Sequence, residues 1–423
     1  MMPQKQLMDV FEELFRKRSK LDPLLSLQAW SKWKQLGLPQ KEQEAFQYLP
    51  LRKMYDAIFQ SSFARNEPLQ EIEVLPECRE SCFVFVDGVF REDLSCRTAI
   101  AKQVIALPLQ EAFKSSYGQF LKMRVQQRIK EEEDSLTLLN LALCTQGLFL
   151  YIPPKTKLSA PIQLLHIQQS SNASYIDLRV HICLGQGAEV EVIESSMGQG
   201  SSATLHNRLL DVALEEKALF SQVSYQEEEL HCWSFSSFRA SLKKEASLRF
   251  FCATEGSLLV RQDCQVALVG ERAEAELLGL AVLSEQKQAH VHARIDHIAP
   301  CCRSLQLFKH LLLGEGSCSS FTGHIHVKKE AQKTEAYQLN QNLLLSSSAL
   351  ASAKPNLQIY ADDVKASHGA TISQLEEEPL FYLKTRGLST EQAQKLILKG
   401  FIQDMVDKVR LSSVKKKLIT QGR

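Results

Sequence analysis

The chain has 423 residues, of which 50 are Lys or Arg and 49 are Asp or Glu, so its formal net charge is only +1. A chain of this length can bury a sizeable core in one to three domains without covalent staples. The balanced charge provides no long-range field toward nucleic acid or an anionic membrane, so neither is expected as a partner.

The N-terminal segment predicts an amphipathic helix. Residues 1–23 interleave charged side chains with apolar ones such as Leu7, Phe11 and Leu14, unlike the continuous apolar run of a signal peptide. No stretch approaches the roughly 18 to 20 uninterrupted apolar residues that a membrane-spanning helix needs. We therefore expect a soluble cytoplasmic protein.

The cysteines predict reduced thiols. There are 11, an odd number, and they are scattered without any CxxC motif; the one tight pair is Cys301 with Cys302. Adjacent cysteines make a strained disulfide and an awkward pair of metal ligands. Mostly buried thiols in a reducing compartment are expected, with no metal or cluster held stably by the isolated chain.

Residues 1–146 predict a mainly helical N-terminal region. Ala29, Trp30, Trp33 and Leu36 recur at helical spacing before a Gly-Leu-Pro breaker at 37–39, and a second helical stretch runs from about 107 to 130.

Residues 147–372 predict a β-rich core with an internal period. Short runs rich in Val, Ile, Leu and Phe follow polar turns, and an alanine recurs at corresponding places. These alanines are Ala188, Ala218, Ala246, Ala273 and Ala331, with the segment around Cys302 filling the double interval. A period near 30 residues without intervening helices favours stacked coils, whereas an all-β sandwich is the alternative.

Residues 373–423 predict a C-terminal helical region. Ser389 and Gln392 suit a capping box, and one apolar stripe follows. The stripe comprises Ala393, Leu396, Ile397, Phe401, Met405 and Val409. It packs either onto its own domain or onto a partner.

No common catalytic motif is present. The sequence lacks GxxxxGK[ST], GxGxxG after a strand, GxSxG and HExxH. It therefore gives no indication of a nucleotide-binding site or of a common hydrolase site.

Two histidine groups could pinch a metal ion, because residues i and i+2 share a strand face. They are His290, His292 and His297, and then His324 and His326. Hydrogen-bonded or solvated histidines are the favoured interpretation, since no carboxylate or thiolate lies at a diagnostic offset. A further histidine, His368, is expected at a strand-to-helix junction within YADDVKASHGAT.

A family resemblance rests on YADDVKASHGAT, on FYLKTRGL after it, and on LNLALCTQGLFLYIPP, IDHIAP and GHIHV before it. With these stretches the chain resembles the SufB/SufD family of iron–sulfur cluster assembly scaffolds over nearly its whole length. The SufD-like branch fits better than the SufB-like one. The histidine is followed by Gly369 rather than glutamate, and Ala349 stands where the SufB-like acceptor of sulfur is a cysteine. Ala366 departs from a cysteine that many SufD-like sequences carry.

The resemblance implies a right-handed parallel β-helix flanked by helical regions, acting as a non-catalytic scaffold. It further implies a SufB-like partner that joins this chain near the C-terminal strands. It also implies a SufC-like ATPase, which binds the ATP and docks on the terminal helices at Leu396, Ile397, Phe401 and Met405. His368 would be a ligand of a transient cluster shared with that partner, because neutral imidazole suits iron. The isolated chain could form a homodimer.

Two alternative functions remain open at this point. A carbohydrate-active solenoid enzyme would need paired carboxylates in a groove, and Asp362 with Asp363, expected on opposite faces of a strand, are a poor pair. A stand-alone interaction module would form no cluster, and then substituting His368 would change nothing.

Overall fold

The computed structural model describes residues 2–56, 60–61, 72–169, 174–198, 204–226 and 232–421. The helices lie mainly in two groups, one at each end of the chain. They are α1 (Met2–Lys17), α2 (Pro23–Leu36), α3 (Leu51–Tyr55), α4 (Leu109–Lys114), α5 (Gly118–Glu131), α6 (Ser135–Leu143), α7 (Glu377–Thr385), α8 (Thr390–Lys408) and α9 (Ser412–Gln421). Short 3-10 turns lie at Glu44–Phe46 and Pro76–Cys78.

The strands build two sheets that alternate along the chain. Sheet A contains β1 (Gln60–Ser61), β4 (Ile105–Pro108), β5 (Gly147–Ile152), β7 (Ser174–Leu184), β9 (Thr204–Leu214), β11 (Cys232–Leu242), β13 (Leu259–Leu268), β15 (Gln288–His297), β17 (Cys318–Val327) and β19 (Leu350–Ile359). Sheet B contains β2 (Cys82–Val86), β3 (Val89–Cys96), β6 (Ile162–Gln168), β8 (Glu189–Gly198), β10 (Leu219–Gln226), β12 (Ser247–Thr254), β14 (Glu274–Leu283), β16 (Arg303–Leu312), β18 (Thr334–Leu344) and β20 (Val364–Gln374).

From β5 to β20 the chain winds as a β-solenoid of about seven turns, which confirms the mainly β solenoid with flanking helices and excludes the sandwich. Each strand pairs in parallel with the strand two places along, so every coil hydrogen-bonds to its neighbours. The described N-terminal third is not purely helical, since the hairpin of β2 and β3 adds to sheet B.

The period comes from one tight turn per coil. A residue in the left-handed region precedes the inward-facing position, as in Lys217 before Ala218 and Arg272 before Ala273. The amide of each such residue donates to a carbonyl of the next coil, for example Lys217 to Lys244 at 2.9 Å. These stacked turns fix the coil spacing.

The predicted repeat is correct at Ala188, Ala218, Ala246 and Ala273, and at Cys302 in the gap, but wrong at Ala331. Register pairs Cys302 with Thr334, so Thr334 occupies the repeat position. Ala331 lies three residues earlier, buried beside Ile325 and Ala336. A longer turn before β18 displaced the alanine from the pattern.

Three apolar layers hold the molecule together. The lumen between the sheets contains one large cluster, which includes Leu164, Val212, Phe250 and Leu277. The outer face of sheet A packs against α1, α2 and α6, and the outer face of sheet B packs against α8 and α9. Helices therefore cover part of the outer face of each sheet.

Buried ion pairs join the N-terminal helices to sheet A. The Arg239 guanidinium on β11 bonds Glu132 at 2.8 Å, after α5, and Asp263 on β13 at 2.6 Å. Burial opposes ionisation of the Asp263 carboxyl, but Arg239 and Arg261 outweigh it and hold its pKa well below the ordinary value. A second group of buried ion pairs is centred on Asp211.

Asp211 on β9 accepts from Arg124 and Arg128 of α5, at 3.0 and 3.2 Å. Its carboxylate also contacts His181 of β7 at 3.2 Å. Burial again opposes the charge, and the two guanidinium groups again hold the pKa of Asp211 well below its ordinary value. The helical layer is thus locked to the solenoid in one position.

Replacing Arg239 with methionine should strongly destabilise the protein, because it leaves Glu132 and Asp263 buried without their cation. Breaking a buried pair costs about 3–5 kcal/mol. Urea unfolding followed by circular dichroism measures the effect. The matched control is Arg249→Met, whose pair with Glu276 lies at the surface; equal effects of the two substitutions would contradict a structural role for the buried network.

Candidate functional site at the open end of the solenoid

The two ends of the solenoid differ. At the first end, antiparallel strands β3 and β4 terminate the sheets, β3 on β2 and β4 on β5. At the second end, β19 pairs only with β17 and β20 only with β18. Both last strands, within the described part of the chain, present backbone N–H and C=O groups that no further strand satisfies, which makes a template for pairing with another chain.

His368 lies in the middle of β20, not at a strand-to-helix junction as expected. β20 continues to Gln374, and α7 begins only at Glu377. Its imidazole is exposed, and no residue of the described part hydrogen-bonds it. Because β20 is the last strand of sheet B at this end of the solenoid, the His368 side chain is available to a partner.

Strand register shows which way His368 faces. It is the partner of Gln338 on β18, which is the partner of Gln306 on β16. Both glutamines are buried in the lumen, and the Gln338 amide donates to Gln306 Oε1 at 2.6 Å. Because aligned residues share a face, His368 belongs to this inward column and lies at the mouth of the lumen.

Gln338 has unused bonding capacity directly behind His368. Its Oε1 is buried and has no hydrogen-bond donor among the described residues. Neighbouring strands lie about 4.8 Å apart, so a rotamer change brings an imidazole N–H of His368 within reach of this oxygen. Such a bond would fix the ring tautomer and leave the other nitrogen for a ligand.

The other two residues singled out with His368 are placed differently. Ala366 shares the inward face of β20 with His368 and packs beside Ala336 and Ile325. Ala349 is buried in the turn before β19, against Leu312 and Leu344. Neither residue adds a thiol to the open end.

Apolar side chains surround the open end. Leu350 and Tyr360 are about two-thirds exposed, and Ile372 is half exposed. All three lie on or beside the last two strands. Exposed apolar groups next to unpaired strand edges are the features of a surface that another protein covers.

The five histidines of the two groups considered as metal ligands have partners of their own. His290 bonds Ser320, His292 bonds Asp263, and His297 bonds Ser304, at 2.6–2.8 Å. His326 contacts Asp296 at 3.0 Å, and His324 lies 3.7 Å from Glu44. The hydrogen-bonded interpretation therefore fits these residues, and the described chain contains no group of three or more His, Cys, Asp or Glu that could hold a metal ion.

Asp362 and Asp363 are not in a strand, contrary to the expectation. They form the bend between β19 and β20, where the Asp363 carbonyl accepts from the Lys333 amide and the Asp363 amide donates to Gln332. The backbone of this bend continues the stacked turns, so the pair has a structural place in the solenoid.

The residues predicted to dock an ATPase do not share one surface. Met405 is fully buried against sheet B, and Ile397 is half-buried, whereas Leu396 is half exposed. Phe401 is held by Lys309 of β16, whose ammonium lies 4.9 Å from its ring centre and bonds its carbonyl. The expected stripe is split because α8 folds back over sheet B with Ile402, Met405 and Val406 inward.

Helix α7 contains the exposed apolar surface that the stripe missed. It has no buried residue, although it contains Leu380, Phe381, Tyr382 and Leu383. Phe381 is 69% exposed. The helix is too short and begins with too many acidic residues to show a clear apolar periodicity. Its two adjacent aromatic residues, Phe381 and Tyr382, are the sequence feature that indicates an exposed apolar surface.

Together, two solenoid sheets, helices packed on both of them and a histidine at an unpaired end define a β-solenoid protein with exposed strand edges. No helix within the described residues is long and apolar enough to cross a bilayer. Family models match nearly the whole chain: residues 166–401 match the SufBD core domain of SUF-system FeS cluster assembly, and residues 3–164 match the SufBD N-terminal region. The chain belongs to the SufBD family of iron–sulfur cluster assembly proteins.

Individual relatives agree with this assignment. An iron–sulfur cluster assembly SufBD family protein of Synechocystis is 28% identical over 394 residues, covering 90% of this chain and 86% of the relative. The iron–sulfur cluster assembly protein SufD of Escherichia coli is 25% identical over 388 residues, covering 91% and 88%. A chloroplastic protein of Arabidopsis thaliana, ABCI7, is 29% identical over 61% of this chain and 56% of its own length. The family resemblance and its SufD-like character are confirmed.

Replacing Gln338 with leucine should change the tautomer balance of His368 without unfolding the chain, because it removes the unpartnered Gln338 Oε1, which is aligned with His368 on the neighbouring strand. The long-range ¹H–¹⁵N spectrum of the imidazole measures this: one tautomer in the parent protein and a mixture in the variant. Gln341→Leu, on the same strand but the opposite face, is the control. Identical His368 spectra in all three proteins would show that Gln338 does not orient it.

Proposed function

We propose that this chain is the non-catalytic, SufD-type scaffold subunit of the Suf iron–sulfur cluster assembly complex, acting in the cytoplasm. Its open end pairs with a SufB-like subunit, and a cluster is assembled as cargo at that interface. A SufC-like ATPase docks on the C-terminal helices and binds the ATP. The observation that carries the proposal is the pair of unsatisfied strand edges with His368 exposed between them.

Pairing through the open end follows from backbone hydrogen bonding. β19 and β20 offer 10 and 11 residues of free edge, and adding a strand to each edge would continue both sheets across two molecules. The partly exposed Leu350, Tyr360 and Ile372 would be buried at the same time. An isolated chain can use the same edges to pair with a second copy, which accounts for the expected homodimer.

His368 supports cluster assembly as one ligand of a shared site. An iron–sulfur cluster needs several thiolate or imidazole ligands. Among the described residues His368 belongs to no group of three or more potential ligands, and Ala366 rather than a thiol lies two residues away. A cluster there requires ligands from the partner. The chain by itself would then hold no stable cluster, and assembly and release would both depend on the interface.

Helix α7 and the first turns of α8 support the docking proposal. Phe381, Tyr382 and Leu396 are at least half exposed, on helices that pack against each other. Aromatic anchors of this kind supply most of the binding energy at protein interfaces. Since α8 is fixed to sheet B by Met405 and Lys309, motion of a docked ATPase would be transmitted to the solenoid.

Substituting His368 by alanine should leave the complex with the SufB-like subunit intact and lower cluster formation by tenfold or more, on the order of the loss caused by disturbing metal-site residues. Co-purification measures the first property, and the visible absorbance after reconstitution with iron and sulfide measures the second. Ser367→Ala, on the opposite face of β20, is the control. Loss of the complex together with the cluster would assign His368 an interface role instead.

Replacing Phe381 with serine should weaken binding of the SufC-like ATPase by about thirtyfold, the effect of losing a hot-spot residue of about 2 kcal/mol. Binding of the SufB-like subunit should not change. Titration calorimetry with each partner separates the two effects. Leu24→Ser removes an equally exposed apolar side chain from α2 and serves as control; unchanged ATPase affinity in the Phe381 variant would contradict docking at α7.

A further inference from the structure

Two cysteines face each other at the capped end, far in sequence from His368. Cys82 begins β2 and Cys96 ends β3, and they are direct partners in the antiparallel pairing of that hairpin. A register shift separates this pair from the rest of the ladder, yet the two residues still lie opposite each other. Directly opposed residues in antiparallel strands have Cα atoms about 4.5–5.5 Å apart, within the range a disulfide requires.

The surroundings of the two thiols place them near each other. Cys82 packs in a small cluster with Val84 and Leu165, and Leu94 packs against that cluster from β3. Cys96 lies directly opposite Cys82, and after burial its charge further raises the pKa of the Cys82 thiol, so the two thiols lie close together. Both thiols are free in the structure.

The two thiols differ in exposure and in acidity. Cys96 is partly exposed, and hydrogen bonds from the Thr98 side chain and then the Thr98 amide lower the pKa of its thiol. Cys82 is 2% exposed, and burial, followed by the charge of Cys96, raises the pKa of its thiol to about 12. An accessible thiol of lowered pKa beside a protected second thiol is the arrangement of peroxide-sensitive cysteine pairs.

We propose that Cys82 and Cys96 are a reversible oxidation site that forms a cross-strand disulfide when the protein meets a hydroperoxide. The Cys96 thiolate attacks one peroxide oxygen, the O–O bond breaks, and the departing hydroxide takes a proton from solvent to leave as water. Cys96 is then a sulfenic acid.

The second step closes the bond. The Cys82 sulfur attacks the Cys96 sulfur, the S–O bond breaks, and the hydroxyl leaves as water with the proton of the Cys82 thiol. Each sulfur has lost one electron and the peroxide has gained two. A dithiol reductant reverses the reaction by exchange.

The disulfide would lock the capping hairpin. β3 is the last strand of sheet B, and its Cys96 end is followed by the exposed Arg97 and Thr98. A covalent link from Cys96 to Cys82 would hold this end of β3 on β2. This inference does not depend on the proposed function of the open end.

The competing partner of Cys82 is Cys78. It precedes β2 by one short turn and is fully buried, and after burial the charge of Cys82 contributes to the raised pKa of its thiol. Burial raises the pKa of Cys78 to about 12, and neither Cys78 nor Cys82 is exposed to oxidant. A first oxidation at Cys96 therefore directs the bond to Cys82.

Peptide mapping of the full chain after hydrogen peroxide treatment and thiol alkylation tests the proposal. Trypsin cuts after Arg79, Arg91 and Arg97, so the three cysteines fall on three peptides. We expect residues 80–91 linked to residues 92–97, with a mass lower by two hydrogen atoms than the sum of the thiol peptides, and release of both by a dithiol. Cys96→Ser should abolish the link, and Cys318→Ser should leave it unchanged.

Thr98→Ala provides a second measurement that does not alter either thiol. It should slow the formation of the linked peptide several-fold while leaving its identity unchanged, because Cys96 loses the Thr98 hydroxyl, the larger of the two hydrogen-bond effects that lower the pKa of its thiol. A link between Cys78 and Cys82, or Cys96 converted to sulfinic acid without any link, would overturn the proposal. So would full alkylation of Cys82 and Cys96 after peroxide treatment of a chain whose circular dichroism is native.

Discussion

Backbone pairing at the two ends of a stacked β-structure is the constraint on which this molecule depends. Every coil from β5 to β20 satisfies its N–H and C=O groups through the next coil, so only the terminal strands have unpaired edges. Antiparallel strands end the stack at one side. At the other side β19 and β20 remain open, and His368 and the exposed apolar residues lie there. The proposed assembly surface is a consequence of how the solenoid ends.

The helices packed on the two sheets stabilise the solenoid. Buried Asp211, Asp263 and Arg239 lock the N-terminal helices onto sheet A, while Met405 and its neighbours seal sheet B. A buried charge is costly unless its partner is in place. Buried ion pairs therefore favour one position of the helices on the sheet more strongly than apolar contacts do. The open end and α7 present exposed apolar side chains suited to partners, and the two are connected through the C-terminal segment.

Much of the fold was readable from the sequence, and the failures have physical reasons. Ala188 to Ala273 revealed the coil period because each sits in a tight inward turn with room for a small side chain, but Ala331 misled where a turn lengthened. Periodicity showed that α8 has an apolar face but not what covers it, so Met405 was assigned to a surface. His368 was identified by resemblance, whereas its column with Gln338 and Gln306 requires strand register. The ion pairs join residues far apart in sequence, which no local pattern reports.

Amide hydrogen exchange of β19 and β20, in the chain alone and in complex with the SufB-like subunit, tests the central claim most directly. The account predicts that alternate amides of these two strands exchange rapidly in the free chain, since they face no neighbour, and become protected when the complex forms, while exchange in β3 and β4 stays unchanged. Protection of the capped end instead, or of neither end, in a stable complex would contradict assembly through the open strand edges.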